Sequence, residues 1–82
     1  MSKPYLNVTV SNVDRPIFDG EVLSVRVPGV NGEMEILANH EPLISPLSSG
    51  KVILKKVDGS SETHSITAGT LEVSHNHATI LI

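Results

Sequence analysis

Apolar residues recur at every second position along much of this chain. Leu6, Val8 and Val10 alternate with Asn7 and Thr9, and Leu23, Val25 and Val27 alternate with Ser24 and Arg26. Successive side chains of a β-strand point to opposite faces, so each run describes a strand with one apolar and one polar face. Leu71 with Val73, and Ala78 with Ile80 and Ile82, extend the same pattern. The contiguous Val52-Ile53-Leu54 breaks it, which predicts burial on both faces or a bulge.

Between these runs stand turn signals: Asp19-Gly20, Asn31-Gly32, Asp58-Gly59 and Asn76. Gly, and less readily Asn or Asp, accepts the positive φ that tight hairpin turns require. No window long enough for a helix carries an apolar stripe at helical spacing. Many short strands closed by such turns predict an all-β fold, a sandwich or barrel with no substantial helix. With no repeat, linker or low-complexity segment, residues 1–82 read as one domain.

Composition narrows the picture further. Hydrophobic residues make up 39% of the chain, yet Tyr5 and Phe18 are the only aromatics, so the core must be built from Val, Ile and Leu. β-branched side chains suit a pleated surface, which agrees with the strand reading. The net charge is −3 and the longest basic run is Lys55-Lys56. Nucleic acid, whose phosphates call for clustered cations, is not an expected partner. Cysteine is absent, which removes disulfides and thiol chemistry. Met1-Ser2-Lys3-Pro4 leads into no apolar signal core, and no apolar run approaches the roughly 20 residues of a membrane span. A soluble, cytoplasmic protein is expected.

Candidate chemistry is sparse. His75 and His77 would share one face of a strand and approach one cation, but two ligands do not make a structural metal site. Ser74-His75-Asn76-His77 also reads as a polar hairpin end. Ser, His and Asp all occur, but no elbow motif holds a nucleophile beside oxyanion donors. Phosphate-binding and dinucleotide fingerprints are missing. Glu33 and Glu35 share one strand face as paired carboxylates, a common decoration of a solvated strand. These readings predict no catalytic residue, no metal and no cofactor. One alternative is a free-standing β-sandwich binding module for a peptide, sugar or metal, although Tyr5 and Phe18 alone would line a poor pocket.

Residues Gly32 to Ile44 set a Gly-Glu turn, a short strand and a His-bearing turn before Pro42-Leu43-Ile44. Phe18-Asp19-Gly20-Glu21, Val27-Pro28 and Ala68-Gly69-Thr70-Leu71-Glu72-Val73 accompany that segment in order. From about Tyr5 to Ile82 this set resembles the epsilon subunit of F-type ATP synthases. The resemblance implies the two-sheet β-sandwich, or flattened barrel, that forms the family's N-terminal domain. A full-length epsilon subunit continues into two helices that inhibit ATP hydrolysis and in some members bind ATP; residues 1–82 would lack that element.

The implied role is a non-catalytic central-stalk subunit that joins the gamma subunit to the membrane c-ring and supports proton-driven ATP synthesis. Its place would be peripheral, on the cytoplasmic face of an energy-transducing membrane. Carried over by position, Asn31, Glu33 and His40 become candidates for c-ring contact, with Glu33 and His40 at the same end of the domain. Glu33 has the alternative of being a solvated turn residue. Glu41, Pro42, Leu43 and Ile44 become candidates for gamma contact, with a return into the core as the alternative for the apolar ones. Glu35, Ala38 and Asn39 replace the family's Gly, Pro and Gly. Of these, Asn39 retains access to the left-handed conformation.

Overall fold

The computed structural model describes residues 3–82. Eight strands follow in order: β1 (Leu6–Ser11), β2 (Pro16–Gly29), β3 (Gly32–Leu37), β4 (Leu43–Leu47), β5 (Gly50–Lys56), β6 (Ser61–Ile66), β7 (Gly69–Ser74) and β8 (His77–Leu81). The described residues contain no helix. One sheet runs β4-β7-β8-β1 and continues into the first half of β2. The other runs β3-β2-β5-β6 through the second half of β2. Their inner faces enclose a core of Val, Ile and Leu, as composition predicts.

β2, with 14 residues, belongs to both sheets. On one edge it pairs with β1 as far as Val22 and with β3 from Ser24 onward; on the other it pairs with β5. At its end Gly29 meets Leu47 of β4, which closes the strands into a ring. The register to β5 shifts between Val22 and Ser24, the mark of a β-bulge. A bulge adds one residue to a strand and resets the alternation of its side chains.

That bulge overturns part of the sequence reading. Val22, Val25 and Val27 are fully buried, whereas Leu23, expected on the core face, is only half-buried. Alternation therefore holds from Val25 onward and fails where β2 passes from one sheet to the other. The Asp19-Gly20 turn is not formed either, because both residues lie inside β2 opposite Thr9 and Val8. Pairing with β1 overrides the local turn preference. The β1–β2 reversal falls instead at Asn12–Arg15, where Asn12 Oδ1 accepts the amides of Asp14 and Arg15 at 2.9 and 3.2 Å.

Elsewhere the predicted periods hold. Leu6, Val8 and Val10, Leu71 and Val73, and Ala78 and Ile80 all face the core. In β5, for which the sequence predicts burial on both faces or a bulge, Val52 and Leu54 face the core and Ile53 is half-buried on the outer face between Arg26 and Thr63. The Asn31-Gly32 and Asp58-Gly59 turns form with φ of 129° at Gly32 and 92° at Gly59. β1 lies parallel to β8, which brings the first and last strands among the described residues together. Gly69 permits a close crossing beside them, since a Cβ there would stand 2.6 Å from the Leu81 carbonyl oxygen.

Burial separates two leucine-sized side chains cleanly. Leu71→Ala, in the core, should cost about 2–5 kcal/mol. Ile44→Ala, at a side chain 73% exposed, should stay within about 0.5 kcal/mol. Urea unfolding of the two variants checks both.

Candidate functional site

β2 and β3 form a hairpin whose tip carries Asn31, with Glu33 just inside it opposite Pro28. Cross-strand pairing sets Arg26 opposite Glu35, so Glu33 and Glu35 bracket one guanidinium. Arg26 Nε lies 3.9 Å from Glu33, and the Arg26 terminal nitrogen lies 3.7 Å from Glu35. Both pairs are solvent-exposed and loose, worth about 0–1 kcal/mol at most. Glu33 is thus an exposed carboxylate with a weak partner, free to exchange it for a stronger one.

His40 does not share that end. β3 is extended, and the four steps from Glu33 to Leu37 span about 13 Å. Beyond Leu37 the chain turns, with the His40 amide donating to the Leu37 carbonyl at 3.3 Å. The His40 ring stays local, its Nδ1 donating to the Glu41 carbonyl at 2.8 Å. Asn31 and Glu33 therefore sit at one end of β3 and His40 beyond the other. The sequence distance of seven residues concealed this because a strand, unlike a helix, carries its ends apart.

The segment after His40 resolves by alternation. Glu41 and Pro42 are exposed, Leu43 turns inward against the core, and Ile44 points out. β4 pairs with β7 along its length, while its other edge meets the end of β2, where Gly29 stands opposite Leu47 and the Val30 amide donates to the Pro46 carbonyl at 3.3 Å. Ile44 stands across from Glu72, which faces Thr79, then Thr9, then Asp19, in one row over the outer face. Ile44, Thr70, Glu72, Thr79 and Leu81 line a shallow depression there. Leu81 is 54% exposed. It was missed in the sequence because Ile80 and Ile82 on either side match the core period, and only its off-period position signals the outer face.

Charge divides the two sheets. β1, β4, β7, β8 and the first half of β2 contain no Lys or Arg, while Glu72, Asp19 and Glu21 lie on their outer face. Every strand-borne cation, Arg26, Lys51, Lys55 and Lys56, belongs to the other sheet. The first sheet thus presents an acidic face with exposed Ile44 and Leu81. Such a face suits a partner offering cations around an apolar contact.

The histidines do not assemble. His75 is a turn residue with φ of 52°, not a strand residue, and its Nδ1 lies 2.8 Å from Ser74 Oγ. His77, on β8, hydrogen-bonds Thr9 Oγ1 at 2.8 Å, and Thr9 donates in turn to Asp19 at 3.2 Å. The shared strand face expected for the two is lost because the reversal begins at His75. Among the described residues no three potential metal ligands come together.

His64 belongs to a staple between β5 and β6. Glu62 accepts from Lys56 Nζ at 2.9 Å and from His64 Nε2 at 2.7 Å. These two hydrogen bonds, the lysine's first, hold the Glu62 carboxyl below the usual glutamate range. Lys56 Nζ also stands 5.9 Å from the centre of the Phe18 ring. The group ties the edge strand β6 to its neighbour.

Residues 5–82 match the family described as the ATP synthase Delta/Epsilon chain, beta-sandwich domain. The chain belongs to that family. It is 38% identical over 78 residues to the ATP synthase epsilon chain of Latilactobacillus sakei, covering 93% of this chain and 54% of the relative. It is 41% identical over 81 residues to that of Dichelobacter nodosus, covering 99% and 56%. For Chlorobaculum tepidum the identity is 47% over 64 residues, covering 78% and 73%. The chain thus spans little more than half the length of the first two relatives.

The fold recurs in a chain of the Euglena gracilis mitochondrial ATP synthase OSCP/F1/c-ring assembly, with a TM-score of 0.91 at 22% identity, covering 96% of this chain and 51% of that one. It recurs again in the Tetrahymena thermophila mitochondrial ATP synthase central stalk/c-ring, at 0.75 and 18%, covering 92% and 60%. Both likenesses support the β-sandwich of this epsilon-type chain.

The Glu62 staple has a pH signature. A carboxyl whose folded pKa is depressed adds stability above its ordinary value and loses it as pH falls through the folded value. Glu62→Gln should lower the urea midpoint at pH 7, and its difference from the wild type should shrink below the glutamate range. A gap that stays constant from pH 7 to pH 3 would contradict the staple.

Proposed function

We propose that this chain is a non-catalytic rotor joint of an F-type ATP synthase, linking a gamma subunit to the c-ring during proton-driven ATP synthesis. The observation that carries the reading is the family match across residues 5–82. Relatives named ATP synthase epsilon chains support it. So does the recurrence of the fold in an OSCP/F1/c-ring assembly and in a central stalk/c-ring assembly. The protein would act peripherally, at the cytoplasmic face of an energy-transducing membrane.

In this reading the hairpin tip, with Asn31 and Glu33, meets the polar loops of the c-ring. Glu33 exchanges its loose hold on Arg26 for a loop cation. Glu41, Pro42 and Ile44 meet gamma, with His40 grouped beside them by its position beyond the far end of β3. Leu43 serves that surface from behind by anchoring β4 in the core. Torque crosses the domain through two sheets that share one core and a common strand, an arrangement that resists shear.

Calorimetry of the chain with a gamma subunit from the same source, with and without ATP, tests the reading. Tight one-to-one binding that ignores ATP is expected. No binding at micromolar concentration would favour a free-standing β-sandwich module instead. Glu33→Lys should leave thermal stability within about 0.5 kcal/mol and weaken coupling of proton flow to ATP synthesis in the reconstituted complex. A lowered melting temperature with normal coupling would reverse that assignment.

A further inference from the structure

We propose that Asn39 and Asn76 form a latch that positions the His40–Ile44 segment for docking, without themselves contacting the partner. The latch is a statement about this chain alone; its docking role rests on the rotor-joint reading.

Both residues occupy the left-handed region, Asn39 at φ 66° and Asn76 at φ 59°. Glycine would satisfy that backbone conformation with less strain. Asparagine adds a side chain, and here each amide group is used at both ends. Asn39 Oδ1 accepts the Lys3 amide at 2.9 Å, and Asn39 Nδ2 donates to the Lys3 carbonyl at 2.8 Å. The Asn39 amide donates to Asn76 Oδ1 at 2.8 Å, and Asn76 Nδ2 donates to the Tyr5 carbonyl at 2.8 Å. The Asn76 carbonyl accepts the Asn7 amide at 3.2 Å.

Three segments remote in sequence are joined this way: the chain leading into β1, the connection from β3 to β4, and the β7–β8 turn. The connection Ala38–Pro42 lies outside the strand ladders. Among the described residues, its hydrogen bonds to remote segments all pass through Asn39. The remaining ones, His40 to Leu37 and the His40 ring to Glu41, are local. Without the Asn39 side chain and the Asn76 acceptor together, the segment would be held only at its ends, by β3 and β4. A segment ordered in advance forfeits less freedom on binding than one that must be ordered by its partner.

The test uses Asn39→Gly, Asn76→Gly and the double variant, since glycine keeps the left-handed backbone. Amide hydrogen exchange at residues 39 and 40 should accelerate about 3- to 10-fold, the loss expected for one or two hydrogen bonds. Exchange in the core strands should not change. The off-rate from gamma should rise by a similar factor with the on-rate nearly constant, and the double variant should be little worse than either single one because the residues act as a unit. Asn76→Asp retains the acceptor for the Asn39 amide and should restore protection at residue 39.

Unchanged exchange at residues 39 and 40 in both glycine variants would overturn the latch. Faster exchange there with an unaltered off-rate would overturn its docking role, as would acceleration spread evenly over all strands. A wild-type chain that fails to bind gamma would overturn the rotor reading and the docking role together, while exchange would still decide the latch.

Discussion

Everything in this fold hangs on the corner in β2. A single strand that pairs with β1, then bulges at Val22–Ser24 and pairs with β3 and β5, makes one ring from what would otherwise be two sheets. The extra residue lets Val22 and Val25 both reach the core although three positions separate them. Ser24 reaches only 8% exposure at this corner, the one buried polar residue among those described. A sandwich that shared no strand would depend on side-chain packing alone to resist sliding of its layers. Here the backbone itself crosses between them.

Strand content was legible from alternation wherever a strand has one wet and one dry face. Ile53 between Val52 and Leu54 masks the period of β5, whereas β1, β7 and β8 announce themselves so, through pairs such as Leu6/Val8 and Leu71/Val73. β6 did not, because an edge strand that buries only Ile66 has no apolar period to display. Gly20 misled because a turn preference is a local quantity and the pairing that overrides it comes from Val8, twelve residues away. Leu23 misled because alternation counts residues, and a bulge changes the count.

The candidate surfaces were partly legible. Motif order pointed to Glu33 and to Glu41–Ile44, and backbone geometry then split the set between two ends of β3 and sorted Leu43 inward from Ile44 outward. The acidic outer face of β4-β7-β8-β1 was not visible as a run of charge, since Asp19, Glu21 and Glu72 come together only through pairing. Asn39 was read for its backbone alone. Its side chain matters because it grips the Lys3 backbone through both its oxygen and its nitrogen, while the Asn39 backbone amide donates to the distant Asn76.

The parallel pairing of β1 with β8 also governs the order in which the molecule can be made. Val8 lies beside Ala78, so β1 waits for β8, some 70 residues later, before its second edge is covered. During translation β2, β3 and β5 can pair as they emerge, but the ring stays open until β8 leaves the ribosome. Contacts so distant in sequence slow folding and prolong exposure of an unpaired edge. Until β8 pairs with it, β1 keeps one edge unpaired and open to contact with other chains.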